Sequence, residues 1–205
     1  MLGLGWLLAA ATPSAAHAGA QQYELLSASI KASLSKSVSD HATPFLAFET
    51  EVEARRWLAA MSSRLARRMP DRLQREEFLV TVHYEAKRAG LDPQLILALI
   101  QVESNFRKYA VSRAGARGYM QVMPFWVKLI GTGDHNLFHL RTNLRYGCVI
   151  MRHYLEIERG DLYRALGRYN GSLGQPEYPN LILRAWKRDW QFDTHTASGA
   201  RERSS

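Results

Sequence analysis

Apolar positions recur at three- and four-residue spacing along most of the chain, and period-two alternation is nearly absent, so the pattern predicts a mainly α fold. A short helix is expected at 22–37. Phe45, Phe48, Val52, Trp57, Leu58, Met61 and Leu65 predict an amphipathic helix within 45–68, with Arg55, Arg56, Arg64, Arg67 and Arg68 toward water. Asp71 is placed to cap the next helix, with Gln74 three residues on. Phe78, Leu79, Val82, Ala86 and Ala89 form its apolar stripe, and Gly90 supplies a left-handed stop. Asp92 repeats the capping logic. Pro93 takes the first turn, where its missing N–H costs nothing, and Leu95, Ile96, Leu99, Ile100, Val102 and Phe106 come after it at helical spacing. Further helices are expected at 120–130, 143–158, 161–169 and 178–190, with Asp161 capping the third of these and Gly171 just past its end.

The ends of the chain read differently. Gly3 to Ala11 is apolar, and Ala16-His17-Ala18 fits the small-x-small pattern of a signal-peptide cleavage site. Residues 1–18 are therefore expected to be a signal peptide cleaved near Ala18, which implies a periplasmic protein, although no Lys or Arg precedes the apolar run. The expected organisation continues with an N-terminal helical extension at 19–70, a compact domain at 71–192 and a polar, disordered tail at 193–205. No later apolar run approaches the roughly twenty residues needed to span a bilayer.

The formal net charge of +8 predicts attraction to polyanions. Nucleic acid, anionic lipid and an anionic cell wall all qualify on charge. No recognition motif supports nucleic acid; peripheral contact with an anionic membrane stays open, and a monomer is expected. Cys148 is the only cysteine, so no intrachain disulfide can form, and it reads as a small buried hydrophobe on a helix. His83, His135, His139 and His153 have no recognisable ligand spacing and read as scattered surface histidines. Neither metal nor organic cofactor is expected.

Glu103 is anomalous. It lies four residues after Leu99 and eight after Leu95, on the same helix face as two large apolar side chains. A carboxyl in that position loses solvation, which favours its protonated form and suits a general acid. The helix alone leaves open a Glu that reaches solvent or pairs with an Arg.

The residues after Glu103 narrow this. Glu103-Ser104-Asn105-Phe106 leads to Ser112, then to Gly115-Ala116-Arg117-Gly118-Tyr119-Met120-Gln121-Val122-Met123-Pro124, and later to Ala165-Leu166-Gly167-Arg168-Tyr169-Asn170-Gly171. In these three ordered blocks, and over about residues 72–190, the chain resembles the lytic transglycosylases with a soluble-lytic-transglycosylase (SLT) domain. That family has a lysozyme-like fold related to goose-type lysozyme. The resemblance implies a lysozyme-like helical domain with Glu103 as catalytic acid/base. Ser104 and Ser112 would line the site, and Gln121 and Met123 would touch the sugar. Tyr169 would orient the glutamate or the N-acetyl group, and Asn170 would brace the turn after it. The residue chemistry is compatible: glycines permit close backbone approach, and an amide both donates and accepts, as an N-acetylated sugar requires. Ordinary readings exist for each block, since Gly pairs commonly mark turns and Met123 fits a core.

Three departures bear on substrate preference. Tyr119 stands where the family usually has Leu and would add a hydroxyl to the cleft wall. Arg117 adds charge in the same loop. Phe125 and Trp126 replace small residues, and either stacking on sugars or packing inside would explain them.

The resemblance implies cleavage of the MurNAc-β-1,4-GlcNAc bond of peptidoglycan glycan strands with formation of 1,6-anhydroMurNAc ends, by one carboxyl. Ordinary glycosidases use two carboxyls, and Asp134, Glu156, Glu158 and Glu177 all read as surface or capping residues. A lysozyme-type hydrolase of the same fold and a non-catalytic wall-binding module are the alternatives.

Overall fold

The computed structural model describes residues 21–39 and 42–192, and within them eight α-helices. The expected signal peptide and the tail lie outside the described residues. α1 is Ala28–Val38, N-capped by Ser27. Residues 21–27, which the apolar pattern assigned mostly to this helix, run without regular structure ahead of it. α2 is Glu51–Leu65, shorter than the expected 45–68 because a capping box between Thr50 and Glu53 fixes its start. The five arginines predicted to face water on this stretch are exposed.

α3 (Arg72–Arg88) begins at Asp71, whose carboxylate accepts from the Gln74 N–H at 2.8 Å. Gly90 lies past its end at φ +67°, the left-handed conformation expected of it. α4 (Pro93–Ser104) is capped by Asp92 and ends where Asn105 turns left-handed at φ +49°. Leu95, Ile96, Leu97, Ala98, Leu99 and Ile100 are all buried, so α4 is apolar on every side and forms the central rod of the fold. Each such Leu or Ile contributes roughly 1.5–3 kcal/mol of burial free energy.

α5 is only Phe125–Ile130, where a helix over 120–130 was expected. Gly118 and Gln121 both hold positive φ, and Arg117 bridges Val122, so the chain ahead of residue 125 is a tight turn. α6 (Leu140–Ile157) and α7 (Leu162–Asn170) come next. Asp161 caps α7, and Gly171 closes it at φ +74°. α8 is Glu177–Ala185, after which the expected continuation widens into a π-helical turn, Trp186–Trp190.

α4 packs against α3, α8 and the π turn, α6 packs between α3 and α7, α1 lies on α5 and α6, and α2 lies on α3. The hydrophobic core is continuous from Leu34 to Trp190, so helices α1 and α2 of the extension share it. Two buried polar clusters fix the packing. Arg75 donates to the Ser62 hydroxyl and to the Met69 and Pro70 carbonyls, locking the turn between α2 and α3. Glu85, fully buried, is paired with Arg88, Arg141 and Arg145, which ties α3 to α6.

Two of the histidines read as surface residues are in fact buried. His83 stacks on Phe48 and meets the edge of Trp57, and His153 packs beside Trp126 and Tyr154. Neutral imidazole is apolar enough to fill such sites. Burial pushes the pKa of His83 down to about 4 and lowers that of His153. Cys148 is buried on α6 as expected. No helix among the described residues is long and apolar enough to cross a membrane.

Candidate active site

Glu103 sits in the last turn of α4, 5% exposed. Its Oε1 accepts a hydrogen bond from the Tyr178 hydroxyl at 2.5 Å, and its Oε2 is buried without a protein partner. Burial pushes the Glu103 pKa from its ordinary 4.5 up to about 8, against the opposing pull of the Tyr178 hydrogen bond. Tyr178 itself is buried beside that carboxyl, and both effects hold its phenol far above its ordinary pKa. The pair near neutral pH is therefore a protonated acid steadied by a neutral phenol, with one oxygen bare.

Residues 117–123 build the wall beside it. Gly118 adopts φ +75°, and a Cβ there would fall 2.4 Å from Asn143 Nδ2 and 2.6 Å from the Leu137 carbonyl. Only glycine fits this approach. Asn143, fully buried on α6, pins the turn from below. Its Oδ1 accepts from the Met120 N–H at 2.8 Å, and its amide donates to the Arg117 and Leu137 carbonyls. Gly147, one turn further on α6, lets Met120 settle against the helix, since a Cβ there would lie 2.3 Å from the Met120 sulfur.

The Ser104 hydroxyl donates to the Tyr119 carbonyl at 2.7 Å and so ties α4 to this turn. Ser112 accepts from the Ala116 N–H and shapes the loop before it. The Gln121 side chain turns inward, its amide donating to the Ala110 and Gly118 carbonyls. Gln121 and Met123 present backbone groups to the N-terminal segment. The Gln121 carbonyl accepts from Gln21, and the Met123 N–H donates to Gln21.

Tyr169 is fully buried, but its hydroxyl donates to the Met120 carbonyl at 2.8 Å, and the phenol on the carboxyl of Glu103 is Tyr178. Tyr169 thus braces the 117–123 turn. Asn170 donates to Ser172, while its buried Oδ1, like Oε2 of Glu103, is without a partner. Tyr119 packs on Phe78 and opens onto a separate groove of about 560 Å³ with Arg68, Phe106 and Tyr109; Glu103 is not among that groove's lining residues. Trp126 is buried, whereas Phe125 is half-buried against Tyr23.

Asp134 and Glu177 are exposed, and Glu158 is taken up by Arg164 and Arg168. Sequence reasoning missed Tyr178 and Asn143. Tyr178 shares a buried face with Ile182 and Ala185, a spacing that was legible, but nothing local says that its hydroxyl meets Glu103. Among the described residues, no cluster of His, Cys, Asp and Glu is arranged to hold a metal.

Residues 81–179 match the family model described as the transglycosylase SLT domain. A membrane-bound lytic murein transglycosylase C of Actinobacillus pleuropneumoniae serotype 5b is 52% identical over 48 residues, 23% of this chain and 13% of that protein. Its counterpart from Mannheimia succiniciproducens is 42% identical over 65 residues, 32% of this chain and 16% of that protein. A transglycosylase of Enterobacteria phage PRD1 is 31% identical over 111 residues, 51% of this chain and 41% of that protein. The chain thus spans less than half the length of each of these curated relatives. Glu103, the 117–123 turn, Tyr169 and Tyr178 all fall inside the matched span, so the site lies in the part of the chain that is similar to the transglycosylase SLT domain.

Proposed function

We propose that this protein is a peptidoglycan lytic transglycosylase, with Glu103 as its single acid/base. The observation that carries the reading is the Glu103 carboxyl: buried, protonated near neutral pH, and with Oε2 lacking any protein partner. The SLT-domain match and the relatives named as lytic murein transglycosylases support the same chemistry.

In the proposed reaction, Glu103 gives its proton to the oxygen linking N-acetylmuramic acid to N-acetylglucosamine, and the bond from that oxygen to the muramyl anomeric carbon breaks. The substrate's own acetamido oxygen supports the positive charge that develops there. The muramyl 6-hydroxyl then attacks the anomeric carbon and returns its proton to the Glu103 carboxylate. A 1,6-anhydro end and a free N-acetylglucosamine hydroxyl result, with no water consumed. Tyr178 steadies Glu103 in both states, because a phenol O–H can donate to a carboxyl or a carboxylate. In this reading Asn170 Oδ1, which lacks a protein partner, accepts from a sugar N–H or hydroxyl.

Export to the periplasm is the reading of residues 1–18, and a cell-envelope location agrees with the membrane-bound relatives. The exposed Arg55, Arg56 and Arg67 supply attraction to the anionic wall, weakened by salt.

Purified sacculi digested with the protein and with Glu103→Gln test the reading. Anhydromuramyl ends from the wild type alone are expected by mass spectrometry. Reducing ends would replace transglycosylation with hydrolysis. Binding without cleavage by either protein would leave a wall-binding module.

A further inference from the structure

The segment ahead of α1 lies on the residues expected to hold the sugar. Gln21, although it precedes every described helix, is 3% exposed. Its Nε2 donates to the Gln121 carbonyl at 3.3 Å, and its Oε1 accepts from the Met123 N–H at 3.1 Å. Gln21 also lies beside Tyr169, a residue close enough to Glu103 to feel its charge. One side chain therefore hydrogen-bonds two expected site residues and lies beside a third. Tyr23 then meets Phe125 edge-to-face at 5.6 Å, and Glu24 pairs with Arg168 at 2.8 Å.

A glutamine carboxamide and the acetamido group of an N-acetylated hexosamine carry the same pair of functions, an N–H donor and a carbonyl acceptor. Both satisfy the same backbone carbonyl and N–H, so they compete for one place. The remainder of the segment is held at its margins, by the Glu24–Arg168 pair and by Leu26 against the core, while Tyr23 is 61% and Leu25 92% exposed and no regular structure precedes the Ser27 cap. Such a segment can leave as a unit while α1 stays docked.

We infer that residues 21–26 are an autoinhibitory strap, in which Gln21 occupies the position of a saccharide acetamido group and must be displaced before a glycan strand can bind. The inference rests on the glycan-cleaving reading of this site. Closing the site with its own strap lowers apparent affinity by the fraction of molecules that are open. Losing two hydrogen bonds and a ring contact is expected to raise that fraction about tenfold.

The test uses the full chain in two arms. In a Glu103→Gln background, chitotriose is titrated into protein with and without Gln21→Ala/Tyr23→Ala, and hydrogen exchange of residues 21–26 is monitored. About tenfold tighter binding by the strap variant is expected, together with faster exchange of the strap at saturating sugar. In the active protein, the same double variant is expected to raise kcat/KM on sacculi by a similar factor. Glu24→Gln, which touches neither Gln121 nor Met123, should move both readouts in the same direction by less, and melting curves report whether each variant folds. Equal or weaker sugar binding by the variants, or a strap that stays protected at saturating sugar, overturns the inference. Anhydromuramyl products released equally by wild type and variant would sink the strap and leave the enzyme. Tighter sugar binding with no cleavage by any variant would keep the strap and sink the enzyme.

Discussion

The Tyr178 hydroxyl reaches Oε1 of Glu103 at 2.5 Å, joining the start of α8 to the end of α4. Their interaction pulls the Glu103 pKa down while burial pushes it up, and burial wins. Tyr178→Phe keeps the ring and removes only the pull. The expected result is a kcat loss of about ten- to a hundredfold, with the alkaline limb of the pH profile moved to higher pH. A pH–rate series on both proteins measures it; a limb that stays in place or moves down would remove Tyr178 from this role.

The raised pKa of Glu103 also has a cost in stability. In the folded protein the carboxyl holds its proton up to about pH 8, whereas in the unfolded chain it ionises near its ordinary 4.5. Unfolding between those values releases a proton, so the stabilisation present below pH 4.5 is lost as pH rises toward 8. Glu103→Gln has no such proton. Its melting temperature should exceed that of the wild type by a margin that grows from pH 4.5 to pH 8 and then levels, as calorimetry across that range would record. Cleavage by the same variant should be nearly abolished.

His83 carries the opposite sign. Its pKa is lowered to about 4 by burial first and by Lys87 second. The unfolded chain takes up a proton below its ordinary 6.5 while the folded protein does not, so stability from this group is present above 6.5 and falls as pH drops toward 4. The His83 ring resonances should show no titration between pH 7 and pH 5 by NMR. A midpoint near 6.5 would mean that the Phe48–Trp57 cage is open.

The turn over the site depends on Asn143. Asn143→Ala removes three hydrogen bonds to the Met120, Arg117 and Leu137 backbone, two of them fully buried, and is expected to cost about 2–4 kcal/mol. Gly118→Ala forces a Cβ into the same amide and should cost a similar amount. Denaturant titration reads both losses. Because Met120 is also where Tyr169 attaches, kcat/KM should fall in the variants that remain folded.

Much of this architecture is local and was legible. Asp71, Asp92 and Asp161 each start a helix just after them, because a side-chain acceptor satisfies an N–H that a helix start leaves open. Gly90 and Gly171 end the helices before them for an equally local reason. The boundaries that went unread, at 21–27 and 120–124, are places where tertiary contacts override an apolar pattern that continues, whereas at 186–190 the expected helix continues and widens into a π turn. Phe125 and Met123 look like one helix with Met120 until Asn143 claims the Met120 N–H and Gln121 is turned left-handed.

The same division holds for the site. A carboxyl on the Leu95–Leu99 face of a helix, with the blocks around Gln121 and Tyr169 after it, was determined by the amino-acid order alone, since helical period fixes which side chains share a face. That Tyr178 and not Tyr169 meets Glu103, that Asn143 holds the turn, and that Gln21 lies across it were decided only on folding. These contacts join residues 75, 23 and 102 positions apart. Hydrogen bonds at such separations depend on how helices pack, and no local periodicity encodes that.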